Sequence, residues 1–222
     1  MRSLPPGTKN LLIVNLIVWA LLAVAPAAKE SAIMQWCSLH YMGSQAFNPV
    51  QIFTYFFLPV SFIPMFFNML MLFFFGPQIE WAVGTKRFVF YYISCGVGAG
   101  LIYEIVAILM TNHYMGVVSG DISATSPVIA KMAMLQAYGV HGADCAVLAL
   151  IMAFGVIFAE RTIYLMFPPI PLKAKYIAII CVALELLPLL QMPEMLWMHV
   201  TPFAGLLVGL GIILYWKKRL KL

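Results

Sequence analysis

Ile52–Gly76 is a run of 25 residues without one charged side chain. A helix of that length, at about 1.5 Å per residue, crosses the roughly 30 Å hydrocarbon core of a bilayer. The rest of the chain agrees. Hydrophobic residues make up 64% of its 222 residues and charged residues 9%, with a mean hydropathy of +0.97. A soluble domain carries roughly 25% charged residues, and so little charge cannot cover a water-facing surface of this size. A soluble enzyme, a disordered protein and a nucleic-acid-binding module are excluded. The chain reads as a polytopic membrane protein whose first partner is the lipid bilayer.

Five further segments are apolar enough to be read as spans: Leu11–Ala28, Phe88–Met110, residues 141–159, Tyr176–Leu190 and Met195–Trp216. The first is not read as a signal peptide, because Asn15 and Trp19 interrupt its apolar region. Six spans place both termini on one side. Arg2, Lys9, Lys86, Arg87, Arg161, Lys173, Lys175, Lys217, Lys218, Arg219 and Lys221 then lie on that side, against Lys29 and Lys131 on the other. Eleven against two satisfies the positive-inside rule for an N-in, C-in chain with an even number of spans. The net charge of +5 is thus topology rather than a phosphate-binding surface, and the tail Lys217–Lys221 is an anchor on anionic headgroups. The fold expected is an all-α membrane protein, a six-transmembrane-helix bundle forming a single domain over residues 1–222. Residues 29–51 and 111–140 are expected as long outer loops, the second with a short apolar stretch at Met132–Leu135. No internal repeat is present.

Ionisable groups at membrane depth are costly and mark candidate sites. Here they are Glu104, Asp144, Glu185, His199 and His141. Glu104 and Glu185 have a structural alternative, reaching headgroups or bonding a neighbouring helix. Asp144 follows His141-Gly142-Ala143 at a helix start, where a carboxylate is favoured by free N–H groups and the helix dipole. The cysteines Cys37, Cys95, Cys145 and Cys181 and the histidines His40, His113, His141 and His199 show no metal-ligand spacing, so neither a metal nor a cofactor is expected; three of the cysteines lie in apolar runs and read as core. Glycines at Gly96, Gly98 and Gly100, and at Gly205, Gly209 and Gly211, are spaced for close helix approach, although GxxxG alone is a weak signal.

Taken in order, several segments resemble the rhomboid family of intramembrane serine proteases. Phe66-Phe67-Asn68-Met69-Leu70, then Phe75-Gly76-Pro77-Gln78-Ile79-Glu80, Gly84 and Arg87-Phe88, are similar to its second span and the following turn. Tyr91-Tyr92-Ile93-Ser94-Cys95-Gly96 is similar to the start of its third. Gly142-Ala143-Asp144-Cys145 falls where the family carries its Gly-x-Ser-Gly nucleophile motif. Ala153-Phe154-Gly155 through Pro171-Leu172-Lys173-Ala174-Lys175-Tyr176 continues the likeness, and Gly205-Leu206-Leu207-Val208-Gly209 resembles the sixth helix. The resemblance runs from about residue 47 to 216 and implies the family's six-helix fold.

The chemistry it implies is interrupted. The family uses a Ser–His dyad, with a histidine and an asparagine holding the developing oxyanion. By resemblance, the nucleophile position is Asp144, followed by Cys145 in place of glycine. The histidine position is Pro202, the oxyanion-histidine position is Pro64, and a further common histidine position is Pro59. Of the oxyanion positions Pro64 and Asn68, only Asn68 matches. An aspartate attacking a peptide would form an anhydride, and proline cannot accept a proton. One rescue is Cys145 as nucleophile with His199 or His141 as base, although Cys145 is turned by about 100° from the position before it. The reading reached is a catalytically inactive rhomboid-fold protein, a pseudoprotease, that binds transmembrane segments of client proteins at a polar cavity of Asn68, His141, Asp144, Cys145 and His199. Two alternatives stay open: an active rhomboid-type peptidase with a displaced nucleophile, and a small transporter using Glu104, Asp144 and Glu185. The expected location is an integral membrane one, by default a bacterial inner membrane, and the oligomeric state is left open.

Overall fold

The computed structural model describes residues 3–25, 27–59, 61–120, 133–134, 137–164, 171–191 and 196–220. It is an all-α membrane bundle with one short ribbon. Its helices are α1 (Pro6–Val24), α2 (Ala27–Cys37), α3 (Gln51–Thr54, continued by a 3-10 turn Tyr55–Phe57), α4 (Phe62–Val83), α5 (Thr85–Gly120), α6 (Asp144–Ile157), α7 (Ala174–Gln191) and α8 (Leu196–Leu220). Strands β1 (Thr162–Tyr164) and β2 (Pro171–Lys173) pair antiparallel between α6 and α7. Four helical stretches are long and apolar enough to cross a membrane: Pro6–Val24, Phe62–Val83, Thr85–Met115 and His199–Arg219. Large apolar side chains such as Leu21, Phe62 and Ile179 are exposed on the bundle's outside, where a bilayer would cover them.

Local chemistry explains where the elements depart from the expected boundaries. The first span starts a turn early because Pro6 takes the first helical position, where its missing N–H costs nothing. It stops at Val24 because Ala25, which precedes a proline, is extended at φ −69°, ψ 139°. The run Ile52–Gly76 is not one helix. Leu58, preceding Pro59, is extended (ψ 138°), so the chain breaks there and restarts at Phe62 with Ser61 extended. The helix then runs through Pro77 to Val83. Gly84, at φ 87°, ψ 152°, turns the chain straight into α5, a conformation that a residue with a Cβ rarely adopts. The expected outer loops are also partly helical: α2 occupies 27–37, and α5 continues to Gly120 rather than ending at Met110. Pro127, Lys131, Met132 and Leu135 lie outside the described residues, as do Arg2 and Lys221.

The basic residues gather at one end. There α1 begins against the end of α4, with the Gly7 N–H donating to Glu80 Oε1 at 2.8 Å. The ends of α6 and α8 meet where Lys217 Nζ donates to the Val156 carbonyl at 3.0 Å, and α7 starts beside them with the Ala174 N–H on Arg161 O at 2.9 Å. Lys9, Lys86, Arg87, Arg161, Lys173, Lys175, Lys217, Lys218 and Arg219 all belong to these helix ends or the ribbon. At the opposite end, residues 38–50 fold over the head of α6. Leu39 and Val140 form an isolated bridge, and the buried Gln51 side chain holds this loop by accepting from the His40 N–H (3.1 Å) and donating to Ala46 O (2.8 Å).

α6 is the axis of the bundle, with residues from Cys145 to Gly155 almost wholly buried. It packs most extensively on α8. Gly205 and Gly209 make that contact possible: a Cβ at Gly205 would fall on the Cys145 carbonyl, and one at Gly209 would stand 2.7 Å from Ala149 Cβ. The weak glycine spacing of α8 therefore has a structural use. Gly205→Val is expected to destabilise the protein by about 1–3 kcal/mol or more through overpacking. Gly211→Val, where nothing lies within 4 Å of the added Cβ, is expected to change little. Unfolding titrations in mixed micelles compare the two; equal effects would contradict the packing role of Gly205.

Candidate functional site

α6 has 14 residues and so measures about 21 Å, less than the roughly 30 Å of the hydrocarbon core. Its C-terminal end is followed by the charged Glu160 and Arg161 of the basic end. The shortfall therefore falls at its N-terminal end, which puts Asp144 inside the membrane rather than at its surface. Gly142, at φ 128°, makes the sharp entry to this helix, and its N–H donates to Tyr55 O at 3.0 Å. Asp144 sits in the first turn of α6, as expected. The cap residue itself is Ala143, which has no side-chain cap bond, while the Asp144 carboxylate meets its own backbone N–H, one of the free donors of the helix start. Its carboxylate also accepts a hydrogen bond from Asn68 Nδ2 on α4 at 2.6 Å. The two positions that the resemblance pairs are thus in direct contact across 76 residues of sequence.

This pair faces a cavity of 240 Å³ walled by α4 (Phe67, Asn68, Met71), α6 (Asp144, Val147, Leu148, Ile151) and α7 (Cys181, Leu184, Glu185). Helix α7 rests on α6 and makes only marginal contact with α4, so the cavity lies where two helices are not packed together. Glu185 does bond a neighbouring helix, as one sequence alternative has it: His199 Nδ1 of α8 lies 3.1 Å from its Oε1. Glu104 does not reach a helix end. It is buried in the interior of α5, where Oε2 accepts the Met42 N–H of the outer loop at 2.8 Å.

The other expected members of the polar cavity are placed elsewhere. Cys145 points away from it. Its sulfur is buried 3.6 Å from the Tyr55 hydroxyl and 3.9 Å from Gly142 O, and no histidine is among its partners. The turn from one helical position to the next is the reason. His141 lies in a separate cavity of 280 Å³, lined by Met34, Gln35, Ser38, His40, Ala137, Tyr138, Gly139 and itself. There Ser38 Oγ is 3.4 Å from His141 Nδ1. Sequence reasoning missed Ser38, because its partner is 103 residues away and no local pattern announces it. Pro202 is buried within α8, Pro64 lies in the first turn of α4, and Pro59 is outside α4, in the break that precedes it. Of the cysteines, Cys95 and Cys145 are core residues, while Cys37 and Cys181 are only partly buried. Among the described residues no cluster of three or more His, Cys, Asp or Glu is arranged to hold a metal ion.

Chemically, the Asn68–Asp144 pair offers a carboxylate and an amide at the wall of a cavity between helices. Against known proteins, the family model of the Rhomboid domain matches residues 46–219, well over half of the chain. No curated protein matches the sequence.

Proposed function

The chain belongs to the rhomboid family, and we propose that this integral membrane protein keeps the family's protease-like fold while binding transmembrane segments of client proteins instead of cutting them. The observation that carries this reading is the Asn68–Asp144 hydrogen bond of 2.6 Å. Where the family resemblance calls for a serine activated by histidine, a carboxylate is held by an amide. The histidine position is Pro202, which has no basic lone pair, and His199 is engaged by Glu185 at 3.1 Å. A carboxylate attacking a peptide would give an anhydride, which lies uphill of the amide it came from.

A polar pair beneath a gap between helices suits recognition. A client helix interrupted by Gly or Pro carries backbone groups without intrahelical partners, and these find none in lipid. Asn68 and Asp144 supply a donor and acceptors at that depth. Hydrogen bonds between helices in a membrane contribute about 0.6–2 kcal/mol each, so two of them give a preference of roughly tenfold or more. The test is energy transfer in liposomes between the labelled protein and two peptides, one a Gly-Pro-broken transmembrane helix and one uninterrupted. The broken helix is expected to associate more tightly, and Asn68→Leu with Asp144→Leu to remove most of that preference. Equal association of both peptides with the parent protein would sink the reading.

One contact favours a second reading. Ser38 lies 3.4 Å from His141, so a displaced Ser–His peptidase has a candidate pair. That separation exceeds the roughly 2.6–3.2 Å expected between nucleophile and base. The pair also shares no lining residue with the cavity of Asn68 and Asp144. A bacterial inner membrane is the proposed location.

A further inference from the structure

A third cavity, of 630 Å³, opens at the basic end of the bundle and shares no lining residue with that of the Asn68–Asp144 pair. We propose that it is a binding site for one anionic phospholipid, with the headgroup phosphate on Arg161 and an acyl chain along the aromatic wall of α4. That wall is Phe73, Phe74 and Trp81, exposed by 45%, 43% and 49% respectively, and Phe158 closes it beside Arg161. Trp81 lies in the last turn of α4 and Phe73 more than two turns deeper, so the groove descends from headgroup level toward the membrane interior. An apolar wall with a cation at its mouth has the polarity of a phospholipid.

Arg161 is held ready for such a ligand. Its Nη1 donates to Gln78 Oε1 at 2.7 Å, and the guanidinium lies over the Phe158 ring at 5.6 Å. Gln78 is itself fixed, with Nε2 donating to Phe74 O at 3.1 Å. The other guanidinium N–H groups have no protein partner among the described residues, and a guanidinium fork matches a phosphate in two parallel bonds.

Charge decides which headgroup fits. The neighbouring Glu160 does not neutralise Arg161, because it is taken by Lys173 at 2.7 Å and Lys175 at 2.6 Å. Hydrogen bonds from these two lysines hold its carboxyl down to about 2, so it stays ionised and paired with them. One carboxylate among three bases leaves an excess of positive charge, and anionic lipids populate the leaflet that basic residues face. A zwitterionic headgroup brings its own cation to a site already positive. Free phosphate would reach Arg161 but leave the wall uncovered.

Native mass spectrometry of the delipidated protein in detergent tests this with dioleoylphosphatidylglycerol, dioleoylphosphatidylcholine and inorganic phosphate. The phosphatidylglycerol is expected to be retained one per protein, roughly tenfold better than the phosphatidylcholine, and not displaced by equimolar phosphate. A charged hydrogen bond contributes about 1.5–3 kcal/mol, so Arg161→Gln is expected to reduce retention roughly tenfold or more. Lys218→Gln, a basic change on the tail, is expected to leave it unaltered. Phe74→Ala, which keeps the cation and shortens the wall, is expected to weaken retention several-fold and serves if Arg161→Gln does not fold. The proposal is overturned by equal retention of the two lipids, by displacement with phosphate, by parent-like retention in Arg161→Gln or Phe74→Ala, or by an equal loss in Lys218→Gln.

Discussion

Glu80→Ala is expected to lower the unfolding free energy by about 3 kcal/mol or more, because several buried donors that bonded one carboxylate are left unpaired together. The cause is local. Helix α1 opens with Pro5 and Pro6 and has no side-chain cap of its own, yet its first N–H groups are unpaired within the helix. Glu80, in the last turn of α4 and 2% exposed, supplies the missing acceptors. It accepts from the Gly7 N–H (2.8 Å), the Thr8 N–H (2.7 Å), the Thr8 hydroxyl (2.8 Å) and the Thr85 hydroxyl (2.7 Å). A negative charge at a helix N-terminus is also favoured by the macrodipole. Alanine strands all of these donors and loosens the start of α1 from the end of α4. Glu80→Gln keeps one oxygen but turns an NH2 toward donors, and an intermediate loss of about 1–3 kcal/mol is expected. Unfolding in mixed micelles reads both; a loss below about 1 kcal/mol for Glu80→Ala would show that the contact does not secure α1.

The second large effect is a gain of chemistry. If only the reacting groups are missing, restoring them on the existing backbone should restore cleavage. Asn68 already contacts the nucleophile position, as its hydrogen bond to Asp144 shows. Pro202 stands one helical turn before Gly205, whose face lies against Cys145, the residue after Asp144. Asp144→Ser with Pro202→His thus brings a hydroxyl and an imidazole to the same helix contact, and Pro64→His adds a donor one turn from Asn68. Residues of a catalytic unit act together, so one restored without its partner gives little: losing either the serine or the histidine costs about as much as losing both. The combined variant is expected to cleave a transmembrane substrate roughly 10³-fold or more above the parent, while Asp144→Ser alone and Pro202→His alone stay near background. Fragment release in liposomes measures all of them. A folded triple variant with no cleavage would mean that the backbone, and not only the side chains, has left the family's active geometry.

What could be read from the sequence follows a physical divide. Apolar length and charge asymmetry depend on composition along the chain, so the helices and the clustering of basic residues at one end were legible. The Asn68–Asp144 contact was legible only through family resemblance, because 76 residues separate the pair. Proline effects fell between these. The residue before Pro59 had to be extended, yet a charge-free run conceals such a break; Pro77 and Pro202, which look like breakers, lie inside helices. Helix α2 was hidden by its low apolar content, and the extension of α5 by its polar residues beyond Met110. Contacts that a side chain makes with a group far along the chain left no local trace at all. Glu80 on α1, Ser38 beside His141 and Arg161 on Gln78 are of this kind.

The most direct measurement is release of fragments from a transmembrane substrate with a helix break, co-reconstituted in liposomes with the unmodified protein, Cys145→Ala and Ser38→Ala. No fragments above the protein-free background are expected from any of the three, while the intact substrate remains associated with the protein. Fragments that the unmodified protein releases, and that disappear in Cys145→Ala or Ser38→Ala, would contradict it and identify an intramembrane peptidase with a displaced nucleophile.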